Sequence, residues 1–233
     1  MRPRRIRRGA RHTAVRTTWL VTPDKFLSPA QIATLRGSLE VGRSTAAATD
    51  DELAVRNAVM IELLVGSGLR VSELCGLRVA DVYLSNGRAD LLVRRGKGGK
   101  SRMVAISGRL ADYLRIFLAR RTTEGRDLEP ELPMFLSERG GALTRSAVHR
   151  IWKAALSRAG LPTTWGVHAT RHSYAVEIYR KTRDLRLTQR LLGHANVATT
   201  TVYANLLDED VRRGVERVWA EAVDAPPVAA PTP

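Results

Sequence analysis

The 233-residue chain is 44% apolar and 26% charged, ordinary proportions for a globular domain, so it can bury one good core with at most a small appendage. No run reaches the roughly 18 uninterrupted apolar residues of a membrane span, and the arginine-rich start has no apolar segment behind it to serve as a secretory signal. The single cysteine, Cys75, excludes an internal disulfide framework and fits a reducing cytoplasm.

Charge adds a positive indication. Thirty-eight Lys and Arg against 23 Asp and Glu give +15. The first sixteen residues hold seven arginines and no acid, while residues 208–233 hold three arginines and six acids, which leaves about +11 on residues 17–207. The folded part is therefore basic in its own right, as expected of a partner for a polyanion, most often nucleic acid.

In chain order, residues 1–24 form too charged and too apolar-poor a segment to fold alone and read as a basic flexible arm suited to phosphates. A single domain is expected over residues 25–222, followed by a disordered Pro/Ala tail at 223–233. In "LSPAQIATLRGSLE" Ser28 is a helix N-cap, Pro29 takes the first helical position, and Ile32, Leu35 and Leu39 fall on one face. The small-residue stretch "GRSTAAATDD" reads as a linker to a second helix, "ELAVRNAVMIELLVGSG", which ends in a Gly-Ser-Gly stop. After "LRVSELCGLRVADV", the strand-like runs "ADLLVRR" and "SRMVAIS" flank "GKGGK" as a β-hairpin with a lysine-bearing loop. The remainder is helical: "RLADYLRIFLARRT", "TRSAVHRIWKAALSRAG", "VHATRHSYAVEIYRK", "RLTQRLLGH", "VATTTVYANLL" and "DEDVRRGVERVWAEAV". The sum is an α+β chain, mainly α, with one small antiparallel sheet.

Several familiar motifs fail on inspection. A P-loop ending at Ser101 would need glycine at Arg94, and a dinucleotide fingerprint built on "GSGLRV" would need glycine at Val71 and a strand before it. His168 and His172 have the i, i+4 spacing of a zinc helix, but Ala169 stands where the catalytic Glu would be. Neither a nucleotide nor a metal cofactor is expected.

A different constellation remains. His168 and Arg171 lie at i, i+3 on one helix, Arg70 follows a glycine turn, Lys97 sits in the hairpin loop, His194 follows "LLG", and Tyr203 comes nine residues later. Cleaving a DNA phosphodiester requires stabilising a pentacoordinate phosphorus, a nucleophile, and a proton for the leaving oxygen. Two arginines supply permanently charged forked donors for phosphate oxygens. Tyrosine, with an ordinary pKa of about 10, needs a base such as His to become a nucleophile at neutral pH, and a loop lysine can protonate the leaving group.

These segments resemble the boxes of the tyrosine recombinases, the phage integrase and Xer family. "SGLRVSEL" is similar to the first arginine box, "RRGKGGKSRMVAI" to the lysine hairpin, "VHATRHSYA" to the H-x-x-R box, "LLGH" to the second histidine, and "VATTTVYANL" to the nucleophile segment. The resemblance implies the recombinase catalytic-domain fold over 25–222 and a catalytic set of Arg70, Lys97, His168, Arg171, His194 and Tyr203. By the same resemblance Arg70 and Arg171 clamp the phosphate, Lys97 is the general acid, His168 the base, and His194 a phosphate hydrogen-bond donor. Tyr203 forms a 3′-phosphotyrosine, Glu73 orients the first arginine, and His172 is a packed structural histidine. It also implies double-stranded DNA as partner and a homotetramer on paired sites, or assembly with a partner recombinase or accessory protein, with the helix "VRRGVERVWAEAV" docking on a neighbouring subunit or on its own domain. The N-terminal core-binding domain usual in the family has no counterpart in these residues. That shortfall keeps an alternative in view, a recombinase-derived DNA-binding protein or regulator without strand exchange, and a type IB topoisomerase shares the chemistry.

Overall fold

The computed structural model describes residues 25–49, 51–85, 87–94, 101–123 and 128–193. Its organising element is α2 (Glu52–Ser67), where Val55, Ala58, Val59, Met60, Ile61, Leu63, Leu64 and Val65 are all buried. A helix apolar on every side has to be covered on every side. One cover is α1 (Pro29–Ala48), which begins with a complete capping box. The Ser28 hydroxyl accepts from the Gln31 N–H at 3.3 Å, and the Gln31 side-chain oxygen accepts from the Ser28 N–H at 2.8 Å. The other covers are α4 (Gly108–Thr123), α5 (Arg145–Arg158) and α6 (His168–Thr182).

The expected linker "GRSTAAATDD" is not one over most of its length, because α1 continues through Arg43, Ser44 and the alanines to Ala48, with Ala46 buried against the core. Alanine loses little entropy in a helix, and the threonine hydroxyls need not compete with the backbone when they bond within it, as Thr49 does to the Thr45 carbonyl at 3.1 Å. Asp51 then caps α2 by accepting from the Ala54 N–H at 2.9 Å.

Between α2 and α4 lie the short helix α3 (Val71–Cys75), a 3₁₀ turn at Val79–Asp81, and an antiparallel sheet in the order β1 (Val82–Ser85), β2 (Arg88–Val93), β3 (Arg102–Ala105). The expected two-stranded hairpin is thus three-stranded. Register pairs Val82 with Leu91 and Leu91 with Val104, so one face of the sheet presents apolar residues to the core while Tyr83 and Met103 stay exposed. At the base of the lysine hairpin the Ser101 hydroxyl donates to the Arg94 carbonyl at 2.8 Å, and Arg94 Nε donates to the buried Asp81 carboxylate at 2.5 Å.

The far end of the chain's core is closed by Trp152 of α5, fully buried with its indole N–H on the Trp165 carbonyl at 2.9 Å, and by stacking of Phe117 on Phe135 at 5.6 Å. After α6 a left-handed residue, Arg183 at φ 56°, turns the chain into α7 (Leu185–Leu192), capped by Asp184. None of the helices among the described residues is long and apolar enough to cross a membrane. The expected helices "VATTTVYANLL" and "DEDVRRGVERVWAEAV", the arm at 1–24 and the tail at 223–233 lie outside the described residues.

Candidate active site

Two glycines shape the site. Gly68 ends α2 at φ 64°, in the left-handed region, and a Cβ there would lie 2.5 Å from the Tyr174 ring. Gly193 ends α7 at φ 62°, and a Cβ there would meet Arg102 Cδ at 2.5 Å. Both positions need glycine for conformation and for space.

The Gly68 turn delivers Arg70 to the start of α3. Three residues on, Glu73 accepts from the Arg70 N–H at 2.8 Å and from Arg70 Nη1 at 2.8 Å. Arg102, at the start of β3, grips both oxygens of the same carboxylate, each at 2.8 Å. Burial pushes the Glu73 carboxyl up, but the hydrogen bonds from Arg102 and Arg70 outweigh it and hold the group at about 2. Glu73 is therefore a permanent anion that fixes the Arg70 side chain, the orienting role the sequence suggested.

Arg171 sits one turn into α6 and is only 2% exposed. Its Nη1 donates to the Gly68 carbonyl and its Nη2 to the Leu192 carbonyl, both at 2.6 Å. One guanidinium thus joins the end of α2, where Arg70 emerges, to the end of α7, which precedes His194. It is a buried, backbone-anchored charge at the floor of the site.

His168 is the first residue of α6 and is exposed. Partial burial, then the charges of Arg171 and Arg70, lower its pKa below the ordinary histidine value, so the ring is neutral at pH 7 and available as a base. His168 and Arg171 lie one turn apart on α6, and Arg171 is bonded to the carbonyl two residues before Arg70, so the fold brings the three segments together. His172 packs edge-on against it, ring centroids 4.6 Å apart at 88°. Burial, with His168, Arg171 and Lys25, brings His172 down to about 4, as suits the packed, uncharged histidine expected there. Ser173 on the same helix accepts from the Leu27 N–H at 2.8 Å, tying the segment before α1 to this face.

Of the six expected catalytic residues, the structure brings together Arg70, His168 and Arg171. Lys97, His194 and Tyr203 lie outside the described residues. Sequence reasoning missed Arg102. Its one signal was its place in "SRMVAIS", two residues before Val104 and so on the same, inward face of the strand, where an arginine requires a buried partner.

The chain matches the model of the phage integrase family over residues 38–210. It is 38% identical over 167 residues to the tyrosine recombinase XerC of Halalkalibacterium halodurans, an alignment covering 70% of this chain and 54% of that protein. It therefore spans about half the length of that curated relative. Among solved structures it resembles the XerH site-specific recombinase bound to palindromic difH substrate in a post-cleavage complex, with a TM-score of 0.68 and 26% identity. That likeness covers 84% of this chain and 53% of the other. It also resembles the XerA recombinase, with a TM-score of 0.65 and 28% identity over 82% of this chain and 62% of the other. The mainly helical fold with a small antiparallel sheet is thus the one these recombinases share.

Proposed function

The chain belongs to the phage integrase family, and on that footing we propose that it is a site-specific recombinase that cleaves and rejoins double-stranded DNA through a 3′-phosphotyrosine on Tyr203. The observation that carries the reading is the cluster at the start of α3 and α6. Arg70 is aimed by Glu73, Arg171 is buried and bonded to the carbonyl of Gly68, two residues before Arg70, and a neutral His168 lies one turn from Arg171 on α6.

In this reading the Tyr203 Oη attacks the scissile phosphorus and its proton passes to His168. The P–O5′ bond breaks, and Lys97 protonates the departing 5′-oxygen. Arg70, Arg171 and His194 stabilise the charge that builds on the non-bridging oxygens. Phosphotyrosine retains the energy of the broken bond, and attack by a 5′-hydroxyl of a partner strand reverses the step. The arginine charge at neutral pH needs no proton bookkeeping, while the low pKa of His168 keeps it able to accept one. The basic balance of the chain supplies the sequence-independent affinity for DNA phosphates. We assign the reaction to integration, excision or resolution by a homotetramer on paired sites in the cytoplasm, with the arginine-rich residues 1–24 adding phosphate contacts.

The test uses a duplex carrying a 5′-bridging phosphorothiolate at the scissile position. Wild type gives a denaturant-resistant protein–DNA adduct and Tyr203→Phe gives none. No adduct from wild type, or an undiminished one from the Phe variant, contradicts the reading.

A further inference from the structure

Arg102 opens β3, the strand that follows the span containing Lys97. Both of its terminal nitrogens are given to Glu73 as a two-pronged contact, and the Glu73 side chain is only 2% exposed. The same Glu73 oxygens receive the Arg70 N–H and Arg70 Nη1. One carboxylate therefore fastens two arginines that are 32 positions apart in sequence to each other, by four hydrogen bonds.

The other side of Arg102 lies over Gly193. A Cβ at that glycine would fall 2.5 Å from Arg102 Cδ and 2.6 Å from Nε. Nε itself is buried and has no hydrogen-bond partner among the described residues. Leaving a buried donor unpaired costs stability, a cost that the charge-assisted fork onto Glu73 offsets. The fork onto Glu73 fixes it, and the Gly193 turn is seated against the result.

We infer that Arg102 is a positioning residue for the cleavage reaction, holding Arg70 in its phosphate-facing orientation through Glu73 and seating the turn that leads to His194. Its two-pronged contact with Glu73 makes that carboxylate the group through which it acts on Arg70. The inference rests on the recombinase reading above, and it goes further by joining the first arginine box, the strand after the lysine loop and the second histidine box through one side chain.

The experiment measures single-turnover adduct formation on the phosphorothiolate duplex, together with affinity for the same duplex, for wild type, Arg102→Met and Arg102→Lys. Arg102→Met slows adduct formation by about a hundredfold, the order expected when a reacting group loses its alignment, while affinity stays within about twofold because no phosphate contact is lost. Arg102→Lys keeps the charge beside Glu73 and so keeps the fold, but one ammonium cannot span both oxygens. It recovers about a tenth of the wild-type rate, between the two extremes. In a Glu73→Gln background, Arg102→Met costs less than about threefold, because the group it acts through is already altered. Wild-type rates in both single variants overturn the inference, as does a full hundredfold loss that persists beside Glu73→Gln. A loss of affinity as large as the loss of rate also overturns it. If wild type itself forms no adduct, the cleavage reading falls and the inference with it; if wild type reacts and the Arg102 variants react equally, the inference falls alone.

Discussion

Arg56 and Arg171 serve opposite ends of α2, and both are buried arginines that donate to a backbone carbonyl of a distant segment. Arg56 is 7% exposed and gives Nη1 to the Leu136 carbonyl at 2.5 Å and Nη2 to Asn57 Oδ1 at 2.8 Å. Arg171 is 2% exposed and gives its two Nη atoms to Gly68 and Leu192. What surrounds them differs. Arg56 borders a cavity of about 220 Å³ shared with Leu53, Phe117, Arg121 and Glu138, and no histidine lines it. Arg171 is bonded two residues before a second, carboxylate-aimed arginine and shares α6 with a histidine kept neutral. A buried arginine on carbonyls is thus a structural clamp by default, and it becomes part of a phosphate site only when a second cation and a proton-transfer group are brought to it.

The sharpest way to break that comparison is to substitute lysine at each end. Arg171→Lys, losing the forked charge at the floor of the site, should lower the adduct-forming rate by about 10²–10³-fold, the scale of one lost transition-state donor. Arg56→Lys should leave that rate within about threefold even where the melting temperature falls. Equal losses at both ends would erase the distinction.

The glycine turns come next in size. Gly68→Ala forces a side chain into the left-handed region and into the Tyr174 ring, and should cost about 3 kcal/mol or more in denaturant unfolding. Gly140→Ala, also at positive φ (79°) but with open space around it, should cost only about 1 kcal/mol. A Gly68 variant no worse than the Gly140 one would mean that the approach of Tyr174 relaxes freely.

A smaller effect separates the two ends by pH. His172 is held down to about 4 in the folded chain against an unfolded value of about 6.5. The unfolded chain therefore binds more protons between those values, and stability falls as pH drops from about 6.5 to about 4, then levels off. His172→Phe should flatten that part of the melting-temperature profile. An unchanged slope would show that burial does not hold the His172 ring neutral in the folded chain. Smallest of all, Arg115→Ala breaks an exposed pair with Asp112 on α4 and should stay within about 0.5 kcal/mol of wild type.

Much of this was legible from local sequence, because local rules set it. The Ser28 cap, the Gly68 stop, the helices between residues 108 and 193 and the placing of His168 and Arg171 on one helix follow from spacing and capping chemistry within a few residues. β1 was also written locally, in the alternation of Val82 and Leu84 with Tyr83 and Ser85 and in the Asn86–Gly87 pair, with Gly87 at φ 81°. Its four-residue length made it easy to pass over. The extension of α1 hid behind small residues that resemble a linker and are equally good helix formers. Arg102 and the anchoring of Arg171 had no local signal of comparable strength. Their partners, Glu73, Gly68 and Leu192, are 29, 103 and 21 positions away, and only the fold brings them together.

In the proposed reaction DNA breaks through Tyr203 and the protein stays on the 3′ side. Trapping the adduct on a nicked duplex with an ordinary phosphodiester at the scissile position, digesting it and identifying the modified peptide by mass spectrometry, while testing the released strand for a free 5′-hydroxyl by direct kinase labelling, examines both parts at once. The account predicts a nucleotide-bearing peptide containing Tyr203 and a released strand that labels without prior phosphatase. A modified residue other than Tyr203, or a released strand that carries a 5′-phosphate, would contradict it.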